Sequence, residues 1–358
     1  MKELIDSFGR VHKDLRISLT DKCNLRCSYC MPEDFNLWIP SKDHLTTPEL
    51  VEIVKIAVNC GITEIRLTGG EPLLRQDIVE IVKKINELNN PPEISMTTNG
   101  LSLAQKAQEL VDAGLKRINV SLDTLQADRF KEITKRDRIN DVFLGIETAK
   151  KVGLTPIKIN SVLLRGINED EAPDLVKWAL ESELELRFIE QMPLDAGNAW
   201  SREKFITAEE IFDSLKDLYK LSAVPSRGSA PAEKFLINGG PKYIGIIASI
   251  SKPFCGACDR LRLTSDGQIR SCLFSRTESN LRDILSKRPR IENSQFIDQE
   301  ILGNSIVWKS LSERRKKLWL ERFTRGNYDY QIQLTMWANN LFSYAPAFRL
   351  VDNVGHGN

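Results

Sequence analysis

Six short segments of this chain, residues 15–19, 64–68, 93–98, 117–123, 156–164 and 184–192, read as β-strands separated by helical patterns. Strand and helix alternating at this spacing predict parallel βα units, and six in succession predict an open or partial barrel rather than a closed eightfold one. Parallel strands covered by helices are ordinarily continuous apolar runs, whereas these alternate. One face presents Arg16, Ser18 and Thr20; Glu64, Arg66 and Thr68; Ser95, Thr97 and Asn99; Asn119, Ser121 and Asp123; Lys158 and Asn160; Glu185 and Arg187. The other presents Leu15, Ile17, Leu19, Ile65, Leu67, Ile118, Val120, Leu122, Ile157, Ile159, Leu186 and Phe188, which suits covering helices. Each unpaired buried polar group costs ~1–3 kcal/mol against a total stability of only ~5–15 kcal/mol, so such a lumen is expected to hold water and ligands. Polar groups that satisfy one another, or an antiparallel sheet with one wet face, would be the alternatives. Arg16, Arg66, Lys158 and Arg187 in one cavity favour a polyanion such as a triphosphate.

The helices carry their own stop and start signals. The first is expected from Thr46 or Thr47, with Pro48 in its first turn, to Gly61; similar helices precede Gly114 and Gly153. After Pro193 the βα rhythm fades. Residues 207–210 (TAEE) form a capping box for a helix to about Leu218, 225–231 (PSRGSAP) read as a loop, and 235–237 and 243–250 read as strands. Asp266-Gly267 is a hairpin signal between two alternating strands. Division into 1–225, 226–290 and a charged, helical tail 291–358 follows. With 50 Lys and Arg against 49 Asp and Glu, no global field points to nucleic acid or membrane. The start lacks the apolar stretch of a signal peptide and no apolar run approaches the ~20 residues that cross a bilayer, so a cytoplasmic protein is expected.

Six of the seven cysteines fall into two trios, Cys23, Cys27, Cys30 and Cys255, Cys258, Cys272. Tight thiol clusters outside a disulfide framework point to metal. The isolated Cys60 ends an apolar helix pattern and reads as a buried apolar residue. The first trio follows the first strand, at the end of a parallel barrel where ligands bind. Three thiolates serve three irons of a cubane and leave the fourth open. A structural zinc site wants four ligands, and His44, the next histidine along the chain, lies past two prolines. For the second trio, a cluster with one free position stands beside a zinc ribbon lacking its fourth ligand. Arg260 and Arg262 share one side of the strand between Cys258 and Cys272.

Cys-x3-Cys-x2-Cys with an aromatic, Tyr29, before the last cysteine resembles the signature of the radical S-adenosylmethionine enzymes. In that family the open iron binds the amino and carboxylate groups of S-adenosylmethionine. An electron from the reduced 4Fe-4S cluster then gives methionine and a 5′-deoxyadenosyl radical. Gly69-Gly70-Glu71-Pro72 is similar to the family's methionine-binding element, whose glycines let backbone approach the ligand. The resemblance implies an α/β fold, a partial (β/α)6 TIM-like barrel, with a C-terminal iron-sulfur domain covering the barrel opening.

DLRISLTDKCNLRCSYCMP, RLTGGEPLLR, SMTTNG, INVSLDTL, RFIEQMP and CGACDRLRLTSDGQIRSCLF together resemble the GTP 3′,8-cyclase family of molybdenum cofactor biosynthesis over residues 9–285. That resemblance implies a carbon–carbon lyase with two 4Fe-4S clusters, on Cys23, Cys27, Cys30 and on Cys255, Cys258, Cys272. Tyr29, Gly69, Gly70, Glu71, Ser121 and Met192 would contact S-adenosylmethionine. Arg16, Arg66, Thr97, Lys158, Arg187, Arg260 and Arg262 would hold GTP, with Arg260 and Arg262 also serving catalysis. The radical would take hydrogen from C3′ of GTP, and the ribose radical would attack C8 of guanine. The implied partners are GTP, an external low-potential electron donor and a downstream cyclic pyranopterin monophosphate synthase; a homodimer is compatible, and neither nucleic acid nor membrane is implied. Two features depart from the family pattern. Members end in Gly-Gly whereas the last residues here are 352–358, DNVGHGN, and Glu64 stands where some relatives place a cation. The rival readings are a radical enzyme acting on a peptide, and a non-enzymatic iron-sulfur or zinc protein.

Overall fold

The computed structural model describes residues 3–6, 8–194, 200–275 and 278–282; the expected tail 291–358 and its terminal sequence lie outside them. Six βα units follow one another. Strands β1 (Asp14–Ser18), β2 (Glu64–Thr68), β3 (Glu93–Thr98), β4 (Arg117–Ser121), β5 (Ile157–Val162) and β6 (Glu185–Ile189) pair in parallel, each with the next. Between and after them run α1 (Thr47–Asn59), α2 (Ile78–Asn86), α3 (Leu103–Ala113), α4 (Ala127–Thr134), α5 (Ile139–Lys151), α6 (Ala172–Glu181) and α7 (Ala208–Lys216). The alternation read from sequence is the fold's organising feature: Leu15, Ile17, Ile65, Leu67, Ile118, Val120, Ile159 and Phe188 are buried under the helices, while their polar neighbours turn to the other face. Each such apolar side chain contributes ~1.5–3 kcal/mol on burial, which drives the sheet against the helices.

Local chemistry sets the helix limits. Thr46 caps α1 in a reciprocal box with Glu49, Pro48 sits in the first turn, and Cys60, 1% exposed, closes the helix before Gly61 turns the chain at φ +96°. Gly114 ends α3 in the left-handed conformation. Thr207 and Glu210 form the expected capping box of α7. That helix stops at Lys216, short of Leu218.

The chain after residue 216 extends the same sheet at both edges. Strands β7 (Leu221–Ala223), β8 (Glu233–Ile237) and β9 (Tyr243–Ile247) are joined antiparallel, and β9 pairs in parallel with β6. Strand β10 (Arg260–Leu263) pairs in parallel with β1 at the opposite edge, followed antiparallel by β11 (Gln268–Arg270) and β12 (Ser279–Asn280). The expected turn at Asp266-Gly267 joins β10 to β11, with Gly267 at φ +90°. The order β12-β11-β10-β1-β2-β3-β4-β5-β6-β9-β8-β7 makes an open barrel, since β7 and β12 do not meet. Residues of the expected C-terminal domain therefore flank the barrel face from both edges. Among the described residues no helix is long and apolar enough to cross a membrane.

Arg75 braces the ligand-binding end of this barrel. Its guanidinium donates to the Leu19 carbonyl (3.1 Å), the Leu45 carbonyl (2.8 Å) and the Asp77 carboxylate (2.7 and 3.1 Å). The Arg75 hydrogen bond, aided by Thr47, pulls Asp77 down to about 2 from its ordinary 3.8. A carboxyl with a lowered folded-state pKa stabilises above its ordinary value and loses that contribution as pH falls through the lowered one. Asp77→Asn is therefore expected to cost about 1 kcal/mol at pH 7, after discounting for the half-exposed site. The difference from the unsubstituted protein should vanish as pH drops from about 4 to about 2 in urea unfolding.

Candidate functional site

The first cysteine trio lies on the loop that leaves β1, and the loop is held from three sides. Gly70 N–H donates to the Thr20 carbonyl and Glu71 N–H to the Lys22 carbonyl, both at 2.7 Å. Arg26 N–H and Ser28 N–H donate to the Thr134 and Ile133 carbonyls at the end of α4, both at 2.9 Å. A tight turn, Cys30 N–H and Met31 N–H on the Cys27 carbonyl (2.9 and 3.0 Å), brings Cys27 and Cys30 to one side. Cys23, Cys27 and Cys30 then line a single cavity of about 220 Å³ together with Tyr29, Gly69, Gly70, Thr97, Asn99, Ser121 and Asp123.

The donor set fits a cubane cluster. Burial pushes the Cys23 and Cys27 thiols up, Cys27 further because Asp123 adds negative charge, so metal-free they are held protonated. Cationic iron removes that penalty and releases the protons. Among the described residues no three Cys, His, Asp or Glu side chains converge as one metal ion requires. A cubane places each thiolate on a different iron, so convergence on a point is not needed. His44 faces Asp21 instead, with Nε2 3.3 Å from Oδ1.

The two glycines of the GGEP turn serve the protein's own packing. A Cβ on Gly70 would lie 2.2 Å from the Lys22 carbonyl oxygen and one on Gly69 2.4 Å from the Thr20 oxygen, so only glycine lets the β2 exit lie against the cysteine loop. Glu71, 1% exposed, accepts from Thr98 Oγ1 (2.6 Å), Asn99 N–H (2.7 Å) and Leu73 N–H (3.0 Å). Its carboxylate is thus committed to the β3 exit rather than aimed into the cavity. Met192 follows β6 and does not line this cavity, whereas Ser121 ends β4 at its wall. Tyr29 Oη donates to Asp123 Oδ2 (2.8 Å), and Asp123 Oδ1 accepts Val162 N–H (2.8 Å). Burial pushes Asp123 up to about 6, and burial beside Asp123 holds the Tyr29 phenol well above its usual value. Asp123 and Asn99, whose Nδ2 lies 3.9 Å from Cys23 Sγ, were not singled out as site residues from sequence. Both sat on the polar face at strand C-terminal ends, and that was the available signal.

The remaining expected residues form a cationic band across the lumen face. Arg262, Arg16 and Arg66 stand side by side on β10, β1 and β2 by register. Burial, with like-charge repulsion from Arg66 and Arg260, lowers Arg16 to about 10; burial, with Arg16 and Arg260, does the same to Arg262. Burial likewise lowers Arg66, Lys158 and Arg187. Carboxylates only partly offset this charge: Asp14 is 3.6 Å from Arg16 and Glu185 3.2 Å from Lys158. Thr97 Oγ1 accepts from Asn119 Nδ2 at 3.0 Å. Glu64, read as a departure from the cationic pattern, is paired with Arg117 at 3.3 Å, and Arg117 also bonds Glu93. Arg117 and Asp14 escaped the sequence reading, although one further step of the same alternation would have reached both.

The second trio borders this band. Arg260, 4% exposed, donates through Nε to Cys258 Sγ (3.3 Å) and stacks over Phe254 at 5.1 Å. Arg262 is near enough to feel both Cys258 and Cys272. Cys255 and Cys272 are exposed and Cys258 half-buried. Cys258 thus lies against the Arg260 guanidinium, and Cys258 and Cys272 lie within electrostatic reach of Arg262.

Residues 17–179 match the Radical SAM superfamily and residues 184–309 match Molybdenum Cofactor Synthesis C. The GTP 3′,8-cyclase of Streptomyces coelicolor is 55% identical over 309 residues, covering 86% of this chain and 88% of that protein. GTP 3′,8-cyclase 2 of Mycobacterium tuberculosis is 49% identical over 288 residues, 79% of this chain and 80% of that one. Among solved structures, Streptococcus suis SuiB bound to S-adenosylmethionine superposes with a TM-score of 0.54 at 17% identity over 76% of this chain. This chain covers 64% of SuiB, under two thirds of its length, and the likeness is one of fold.

Gly70→Ala should displace the cysteine loop. Iron bound per chain after anaerobic reconstitution is expected to fall severalfold. Gly153→Ala, whose Cβ would meet open space at φ +81°, should cost only about 1–2 kcal/mol for its left-handed backbone and leave iron loading unchanged.

Proposed function

This chain belongs to the GTP 3′,8-cyclase family of radical S-adenosylmethionine enzymes, and on that premise we propose that it converts GTP to (8S)-3′,8-cyclo-7,8-dihydroguanosine 5′-triphosphate, the first step of molybdenum cofactor biosynthesis. The observation that carries the reading is the band of Arg262, Arg16 and Arg66 on the lumen face, bordered by Cys258 and Cys272, with charges that burial and mutual repulsion hold at a cost. A triphosphate would relieve that cost more fully than a neutral or singly charged substrate.

Cys23, Cys27 and Cys30 would hold a 4Fe-4S cluster, which, reduced by an external low-potential donor, would supply the electron for cleavage of S-adenosylmethionine to methionine and the 5′-deoxyadenosyl radical. The chain's residues do the positioning. Gly69 and Gly70 hold the cysteine loop against β2, Ser121 and the Tyr29–Asp123 pair form the cavity wall, and Glu71 fixes the β3 exit beneath them. Thr97, Lys158 and Arg187 would hold the nucleotide from the central strands and Arg260 and Arg262 from β10. A second cluster on Cys255, Cys258 and Cys272, in the 226–290 segment, would receive the guanine edge at its open position. Met192 would approach the adenosyl group from the β6 exit. The product would pass to a cyclic pyranopterin monophosphate synthase.

Anaerobically reconstituted protein given S-adenosylmethionine, GTP and reductant is expected to form 5′-deoxyadenosine and the cyclised guanine nucleotide together. Cofactor cleavage with no cyclised nucleotide would refute the assignment. Cys23→Ala should abolish cleavage, whereas Cys272→Ala should retain it and lose cyclisation. Arg187→Ala should weaken GTP binding roughly ten- to hundredfold, the equivalent of one charge-assisted contact of ~1.5–3 kcal/mol. An unchanged dissociation constant would remove Arg187 from the substrate site.

A further inference from the structure

The second cysteine trio begins on one short turn. Ala257 N–H donates to the Phe254 carbonyl (3.3 Å) and Cys258 N–H to the Cys255 carbonyl (3.1 Å). An N-terminal hairpin grips this turn. Ile5 bridges Val11, Asp6 N–H donates to the Arg10 carbonyl (3.1 Å) and Gly9, at φ +75°, turns the chain between them. Asp6, 1% exposed, accepts Phe8 N–H and Arg10 N–H through Oδ1, both at 2.9 Å, and Arg10 Nε through Oδ2. Buried His12 stands 3.4 Å from the same Oδ2. The guanidinium so fixed extends Nη1 to the carbonyl oxygen of Cys255. Beyond the trio's second cysteine, Lys13 and Asp14 N–H donate to the Asp259 carbonyl at 3.2 and 3.4 Å. The turn is thus held by main chain after Cys258 and by one side chain at Cys255.

We infer that Arg10 is a positioning residue for Cys255, with Asp6 fixing Arg10 for that task; the inference rests on reading Cys255, Cys258 and Cys272 as ligands of a second cluster. Asp6 already restricts the Arg10 rotamers, so the contact to Cys255 demands little further ordering. A charge-assisted bond to a carbonyl sets the peptide plane that aims the adjoining thiol. Outer contacts of this kind orient ligands and tune the metal they hold. A hairpin that merely packed the N-terminal segment would change stability alone.

The test compares full-length protein with Arg10→Gln and Arg10→Lys after anaerobic loading with iron and sulfide. In the glutamine variant, iron and sulfide are expected to fall toward half, with the paramagnetic resonance signal that responds to GTP lost while S-adenosylmethionine cleavage persists. Lysine should restore loading in part. Without metal, alkylation of Cys255 relative to Cys272 should rise severalfold in the glutamine variant, a readout independent of assembly. Full iron with an unchanged GTP-responsive signal in that variant, or equal loading in both variants, would overturn the inference and leave the second cluster standing. Unsubstituted protein that loads only one cluster would overturn both.

Discussion

Guanidinium groups on the inner face of a parallel barrel are the constraint around which this protein is organised. Strand packing leaves Arg262, Arg16 and Arg66 as lateral neighbours, and the helices seal the opposite face with aliphatic side chains. A cation so buried needs either a carboxylate or an anion from outside. The supply of carboxylates is uneven. Arg117 has Glu64 and Glu93, and Lys158 has Glu185, but among the described residues no carboxylate bonds Arg66, Arg187 or Arg262, so the band keeps a net charge that suits a phosphate chain. The folded protein thereby carries an unfavourable term that a bound anion would remove.

The second organising contact is between two loops. The β2 exit can lie against the cysteine loop because neither Gly69 nor Gly70 has a side chain, and two main-chain hydrogen bonds at 2.7 Å secure the approach. Arg75 and Glu71, from the same turn, then reach the β1 and β3 exits. One short segment therefore sets the relative position of three strand ends, and with them the cavity wall that carries the three thiols. Precision here comes from backbone packing and buried polar bonds rather than from the ligands themselves.

Much of this was legible in the residue order. Period-two alternation marked the strands and assigned Arg16, Arg66, Lys158 and Arg187 to one face, because the pleat alternates side chains regardless of context. Caps at Thr46 and Thr207 and the turn at Gly267 were equally local, and each acts within a few residues of itself. Glu71 was read as a cofactor contact from its motif, yet its carboxylate is spent on Thr98, Asn99 and Leu73. A tetrapeptide does not reveal which way its acid points.

The chain's sequence by itself determined the βα rhythm, the polar lumen face and the grouping of six cysteines into two trios, since each depends on spacing along a few residues. Tertiary structure alone decided that β9 joins β6 and β10 joins β1, which sets Arg262 beside Arg16 and the second trio beside the cationic band. It alone paired Glu64 with Arg117 and brought Arg10 to Cys255, partners separated by 53 and 245 positions. Such pairings follow from where distant segments pack, and no local pattern encodes them.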